Sequence, residues 1–394
     1  MAYDFNEAKN HLVNSYGRLD PVIVKGEGVY LYDQDNNKYL DFTSGIGVSS
    51  LGYGNKKWVE ATSKQLNTLA HASNIFFTEP SVKLAKELTE KAGMKKVFFG
   101  NSGAEANEGA IKLARKYSFD KYGEGRSTVL TLIQSFHGRT ITTLKATGQE
   151  KFHKFFYPFT EGFNYVKAND IEDFKEKLTP DVCAIMLEAI QGEGGVIPLN
   201  KDFVQEVVKI CNEKDILVIF DEVQCGIART GKLFGYENFD VKADIVTVAK
   251  GLGAGLPIGG FLCNEKVQDV FQPGDHGSTF GANPVVCSGA LVVLDQLCNE
   301  TSYKEIAEKG SYVREIIEKA NNPKVVDTRG MGLMIGIKVT CAPSLVQKEC
   351  LKKGLLVLTA GKDVVRLLPP LIISKEELKQ GADIILDVLS NISE

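Results

Sequence analysis

Lys250 directly follows the apolar run Asp244–Ala249 and is followed by Gly251, Gly253, Gly255 and Pro257. A lysine at the end of a buried strand is desolvated, which lowers its pKa and leaves an amine able to form a Schiff base with an aldehyde. Glycines beside it let backbone and ligand pack closely. Upstream, Asp221 ends the run ILVIF (216–220). The carboxyl ends of strands are where open α/β sheets bind ligands, and a carboxylate there can hold a protonated ring nitrogen. Further upstream, KVFF (96–99) runs into Gly100, then Asn101-Ser102-Gly103-Ala104, ahead of a helical pattern. A turn of small residues feeding a helix N-terminus offers free N–H donors and a positive dipole end to a phosphate. Each feature also has an ordinary reading: a strand-helix turn capped by Ser102, a capping Asp221, a Lys250 that reaches water. Their order in the chain, anion seat, carboxylate, then amine, meets the needs of one ligand, a phosphorylated aldehyde on a basic aromatic ring.

The elements that must position these groups are legible as a rhythm. KVFF (96–99), TVLTLI (128–133), VCAIML (182–187), ILVIF (216–220), DIVTVA (244–249) and GGFLC (259–263) are short apolar runs, with helical patterns such as 104–118 and 201–214 between several of them. Buried parallel strands read as near-continuous apolar runs because both their faces are covered. The centre is therefore expected to be an α/β layer structure. Before it, 28–42 alternates around Asp35, Asn36 and Asn37 as a hairpin would. A helix over 56–69 is expected to carry Val59, Thr62, Leu66 and Leu69 on one face, and another is expected to run from Pro80 to Gly93. After about 300 come a helix, strand-like pieces at 333–339, 355–358 and 364–368, and a last helix from about 375. The expected division is 1–69 as an N-terminal segment contributing to a small domain, 70–299 as the large ligand-binding domain, and 300–394 as a C-terminal small α+β domain.

Composition narrows the function classes. A net charge of −4 with no basic block argues against nucleic acid or an anionic membrane surface as partner. The eight cysteines include no C-x-x-C, so neither a zinc site nor a redox pair is expected; they read as buried thiols of a reducing compartment. Met1–Glu7 is too polar for a signal peptide, and no apolar run is long enough for a membrane helix, so a cytoplasmic protein is expected. No histidine falls in an H-E-x-x-H, and no metal is expected. The absence of G-x-G-x-x-G after the first core strand argues against a dinucleotide-dependent dehydrogenase. A phosphate-binding protein without catalysis would lack Lys250 or Asp221.

At these residues the sequence resembles the fold-type I pyridoxal-phosphate enzymes, and among them the class III (ω-) aminotransferases, from about 17 to 385. FHGRT (136–140), LEAIQGEGG (187–195), DEVQCGIARTGKLFGYE (221–237) and HGSTFGANP (276–284) carry the likeness. Ala189 stands where the family usually has proline, LGYGNKKW (51–58) lacks its G-H-x-H-P, and Ala254 replaces a frequent glycine. The resemblance implies pyridoxal 5'-phosphate as cofactor and an α/β fold with a mostly parallel central sheet. It implies Ser102, Gly103 and Ala104 at the phosphate, Phe136 stacked on the ring, Val223 on its other face and Gln224 at its phenolic oxygen. Asp221 would pair with the ring nitrogen and Lys250 would carry the cofactor. Thr279, with Ser278, would reach the phosphate of a neighbouring subunit, making a homodimer with shared sites. Arg139 would bind a substrate carboxylate, and Glu193 would pair with Arg366 until an α-carboxylate displaces it. HASNIFFTEP (71–80), RTITTLKATGQEKF (139–152) and TAGKDVVRLLPPLII (359–373) look like the branch acting on acetylornithine with 2-oxoglutarate; succinylornithine, ornithine and 4-aminobutyrate stay open. His137 stands where the ornithine branch tends to carry Trp, and is expected to orient neighbouring groups.

Overall fold

The computed structural model describes residues 8–392, so the reading of Met1–Glu7 lies outside the described residues. Each apolar run of the central region forms a strand of one seven-stranded sheet. Its order is Lys96–Gly100, Gly259–Cys263, Ile245–Val248, Leu217–Asp221, Val182–Leu187, Thr128–Leu132 and Phe163–Val166. The last of these, FNYV, buries only its two end residues at the sheet edge and is too short and polar to stand out as an apolar run. The pairings among the five strands from Ile245–Val248 to Phe163–Val166 are parallel. Gly259–Cys263, although as apolar as its neighbours, runs antiparallel to both of them. Full burial of both faces produces a continuous apolar run in either direction, so composition could not reveal this reversal.

Side-chain alternation sorts the sheet into two cores. Val218 and Phe220, together with Ile185, Leu187 and Val246, face the larger cluster. Leu217, Ile219, Ala184, Met186 and Ile245 face a smaller cluster with Ala110, Ile111, Leu113 and Ala114 of the helix Gly103–Tyr122. Asp221 has the parity of Leu217 and Ile219, so its carboxylate points toward that helix. Glu222 follows with the opposite parity and accepts from the amides of Gly235 and Tyr236 at 2.7 and 2.9 Å. Its burial pushes its carboxyl up to about 8.

The hairpin forms as Tyr30–Asp33 against Lys38–Asp41, and Asn36 in its turn has φ 63°. A further strand, Ile23–Glu27, extends it. The piece expected at 355–358 divides: Leu355–Leu356 pairs in parallel with Lys38–Asp41, while Leu358–Ala360 joins an antiparallel sheet with Val364–Leu367, Met334–Val339 and Val325–Met331. Helices cover these strands, the last being Lys375–Asn391, capped by Ser374 and Glu377.

One helix leaves most of its apolar face uncovered. Lys56–Thr68 forms, but of Val59, Thr62, Leu66 and Leu69 only Thr62 is buried in this chain. Trp58 and Thr62 pack on Gly289, whose missing side chain makes room: a Cβ there would lie 2.8 Å from the Trp58 indole nitrogen. The apolar periodicity thus revealed the helix but not which of its side chains meet a neighbour. All eight cysteines are unpaired thiols, and among the described residues no helix is long and apolar enough to cross a membrane.

Candidate active site

Asp221 is 4% exposed and held from several sides. Its Oδ2 lies 2.8 Å from His137 Nδ1 and accepts from Asn107 Nδ2 at 2.8 Å, while its Oδ1 accepts from the Val223 amide at 3.0 Å. Asn107 also donates to the His137 carbonyl at 2.7 Å, and the His137 amide donates to Thr147 Oγ1 at 2.9 Å. A carboxylate so fully engaged by donors keeps one orientation. His137 therefore stands where it touches the carboxylate directly.

Lys250 leaves the strand Ile245–Val248 with φ 44°, in the left-handed region that costs a β-carbon-bearing residue about 1–3 kcal/mol. The turn is closed by Leu252 N–H donating to the Ala249 carbonyl and Gly253 N–H to the Lys250 carbonyl, both at 3.0 Å. Burial pulls the lysine amine below its ordinary range, opposed by the carboxylate of Glu193 and reinforced by Arg366. A lysine amine nearer neutrality is a better nucleophile and base.

Ser102 caps the helix Gly103–Tyr122, its Oγ accepting from the Glu105 amide at 3.2 Å. Gly103 and Ala104 occupy the first turn, whose N–H groups have no acceptor within the helix. Gly103 is sterically required, because a Cβ there would lie 2.7 Å from Val223 Cγ1. These groups, with Phe136, Arg139, Asp221, Gln224 and Lys250, line one cavity of about 590 Å³. That volume suits a small ligand with an aromatic ring. Arg139 is exposed at its rim, its guanidinium 4.6 Å from the Phe152 ring centre and 5.7 Å from that of Phe136. A wider groove between the helices 56–68, 79–92 and 284–297 holds none of these groups.

Behind Gln224 lies an ion pair. Arg366 Nη1 donates to Glu193 Oε1 at 2.5 Å and to Gln224 Oε1 at 3.0 Å. Arg366 is sealed, its side chain 3% exposed against 29% for Glu193. Burial, the largest single influence, raises the Glu193 carboxyl, but the charge and hydrogen bond of Arg366, with Lys250 and Gln224, together outweigh it and hold the group below its ordinary range.

Of the remaining expected residues, Ser278 accepts from Asn101 Nδ2 at 3.1 Å, next to the helix N-terminus. Thr279 is exposed and outside the cavity of its own chain. Asn107 and Glu188 were not anticipated. Glu188 follows the run VCAIML as Asp221 follows ILVIF, so the same strand-end signal was available for it. Asn107 is an amide inside a stripe of small buried residues, Ala106, Ala110 and Ala114, and that mismatch was its signal. Tyr16 also borders the cavity, from a segment with no motif.

A strand-end lysine and a braced aspartate facing a helix N-terminus define an enzyme site on an α/β sheet, and the chain's relatives agree. The aminotransferase class-III family model matches residues 13–389, and the chain belongs to that family. It is 51% identical to the acetylornithine aminotransferase of Haemophilus ducreyi over 97% of each chain. The crystal structure of N-acetylornithine aminotransferase from Stenotrophomonas maltophilia superposes with a TM-score of 0.84 at 32% identity, covering 98% of each chain. That of ornithine aminotransferase from Toxoplasma gondii gives a TM-score of 0.94 at 30% identity, covering 98% of this chain and 94% of the other. The architecture is accordingly fold-type I, as expected.

Proposed function

We propose that the chain is a pyridoxal-phosphate-dependent aminotransferase that moves the terminal amino group of N-acetylornithine to 2-oxoglutarate, yielding N-acetylglutamate 5-semialdehyde and glutamate, as a cytoplasmic step of arginine biosynthesis. The observation that carries the reading is the convergence of Lys250, the braced Asp221 and the first turn of Gly103–Tyr122 on one cavity. Identity of 51% to an acetylornithine aminotransferase supports the substrate, and eight unpaired thiols accord with a reducing compartment.

The residues fit the cofactor: first-turn amides suit a phosphate, and a glycine is forced at Gly103. Bound there, pyridoxal phosphate supplies an aldehyde that captures amines and a ring that accepts electrons. Ser102, Gly103 and Ala104 hold the phosphate. Phe136 and Val223 would pack on the ring, and Gln224 would reach its phenolic oxygen. Asp221, fixed by His137 and Asn107, keeps a proton on the ring nitrogen. Lys250 Nζ would hold the cofactor and would be the group that moves a proton at the terminal carbon of the substrate. Arg139 takes the substrate carboxylate, for which its planar fork is suited. Glu193 covers Arg366 while the long donor is bound and uncovers it for the α-carboxylate of 2-oxoglutarate or glutamate. Thr279, with Ser278, completes the phosphate seat of a second copy, so the working unit is a homodimer. The corresponding division of the chain is 1–69, 70–299 and 300–394.

The test is a panel of N-acetylornithine, N-succinylornithine, ornithine and 4-aminobutyrate with 2-oxoglutarate as acceptor. N-acetylornithine is expected to give the highest kcat/KM. A preference for free ornithine or 4-aminobutyrate would overturn the substrate assignment while leaving the aminotransferase chemistry in place.

A further inference from the structure

Two loops bring the substrate-side groups to the cavity: 133–140 carries Phe136 and Arg139, and 190–195 carries Glu193. They are fastened to each other at several points. Gln191 Nε2 donates to the Ile133 carbonyl at 2.8 Å. Gly194 lies so close to Gln134 that a Cβ on it would stand 2.5 Å from the Gln134 carbonyl oxygen. Between these contacts stands Glu188, just past the strand Val182–Leu187 and 5% exposed. Its Oε1 accepts from the Phe136 amide at 2.9 Å and its Oε2 from the Gly192 amide at 3.3 Å. No role in the chemistry proposed above uses this carboxylate.

We infer that Glu188 is a positioning residue that staples the Arg139 loop to the Glu193 loop, so that the sites for the two substrates' carboxylates move as one body. The inference rests on the proposed function only for the identity of the substrates; the staple itself is a matter of two backbone amides sharing one carboxylate. Two oxygens are needed because each amide takes one. A glutamine has one acceptor oxygen and one NH2, so it must leave one of the amides unpaired, whereas its volume is nearly unchanged. Burial pushes the Glu188 carboxyl up to about 7, against the opposing pull of His137. The carboxylate with both acceptors therefore predominates above about pH 7 and gives way below it. The charged and titratable groups around it are His137 on the 133–140 loop, Asp221 on the adjoining strand, Lys250 beyond it and the Cys225 thiol, with Glu193 on the loop it holds.

Hydrogen–deuterium exchange on the purified enzyme tests this without any substrate. Glu188→Gln is expected to lower amide protection in both 133–140 and 190–195 with unchanged protection in the strand Leu217–Asp221. After correction for intrinsic exchange, wild-type protein is expected to lose protection in the same two segments between pH 8 and pH 6, and the Gln variant is expected not to. If Glu188→Gln does not fold, the wild-type pH series decides alone. A change in one segment only, or in neither, overturns the staple. In turnover, Glu188→Gln is expected to raise KM for the amino donor about tenfold with kcat little changed, as loss of one buried hydrogen bond to the Arg139 loop implies. If no donor in the panel is turned over, the proposed function fails, whereas the exchange result stands or falls by itself.

Discussion

Asp221 and Arg366 are both buried charges, and their surroundings assign them opposite duties. Asp221 is surrounded by donors whose positions are themselves fixed, so nothing in its shell can rearrange without disturbing His137 and Asn107. Such a carboxylate keeps one orientation. Asp221→Asn removes that charge with almost no change of volume, and His137 then faces an amide. Folded protein with kcat at least about a hundredfold lower is expected, the order of effect of losing one preorganised electrostatic partner; steady-state kinetics beside a thermal melt would check it. Arg366, in contrast, is sealed on its strand and has one partly exposed carboxylate partner, Glu193, which the proposed switch moves aside. A switch of this kind lets one cavity take a long donor and a shorter α-keto acid in turn. A fixed ion pair predicts equal damage to both halves of the reaction. The switch predicts that Arg366→Ala depresses the 2-oxoglutarate half far more than the acetylornithine half, and that Glu193→Ala shifts preference toward glutamate and 2-oxoglutarate. Removing one member of a buried pair costs about 3–5 kcal/mol because the other is stranded, so the effects should be large enough to separate in single-turnover measurements.

The strand ends and the helix N-terminus explain why so much of the site could be read from the chain. Lys250, Asp221 and Ser102 each sit where an apolar run stops, and period-2 alternation fixes which face a strand-end side chain must take. What escaped has a common cause. The antiparallel direction of Gly259–Cys263, the partners of Asn107 and the two amides on Glu188 are relations between segments far apart in sequence, and no local pattern encodes them. The exposed face of Lys56–Thr68 has the same cause, since periodicity says that a helix has an apolar side and not what meets it. One element-level relation is sharply testable. The first turn of Gly103–Tyr122 is pressed against Val223, so Gly103→Ala must push either the turn or the Val223 side chain out of place by several tenths of an ångström. Weaker retention of pyridoxal phosphate on dialysis is expected, and Val223→Ala should restore part of it by vacating the contested space. If Gly103→Ala retains cofactor as the wild type does, the turn is not the phosphate seat.

At the level of the whole molecule, a single chain leaves a distinctive set of groups uncovered. Thr279 lies outside its own cavity, and Phe280 beside it is 60% exposed; Ile75, Phe76 and Phe77 are 84%, 69% and 95% exposed. Asn74 ties the two segments together by donating to the carbonyls of Ser278 and Gly281, both at 3.0 Å. Large apolar side chains gathered beside a polar group that misses its own site are what an interface with a second copy would use. The composite-site proposal then makes a prediction that a self-sufficient subunit does not. Lys250→Ala inactivates the site of the chain that carries it, whereas Thr279→Arg inactivates the site of that chain's partner. Mixed from two inactive homodimers, a heterodimer holds both lesions in one site and neither in the other. Unfolding and refolding the two variants together should therefore restore up to about half of the wild-type activity per heterodimer, the arithmetic of one intact site in two for a C2 assembly. Differently tagged chains purified in sequence would isolate the heterodimer. Were it to form and remain inactive, each cavity would have to be complete within its own chain, and Thr279→Arg would damage the site of the chain that carries it, not the partner's.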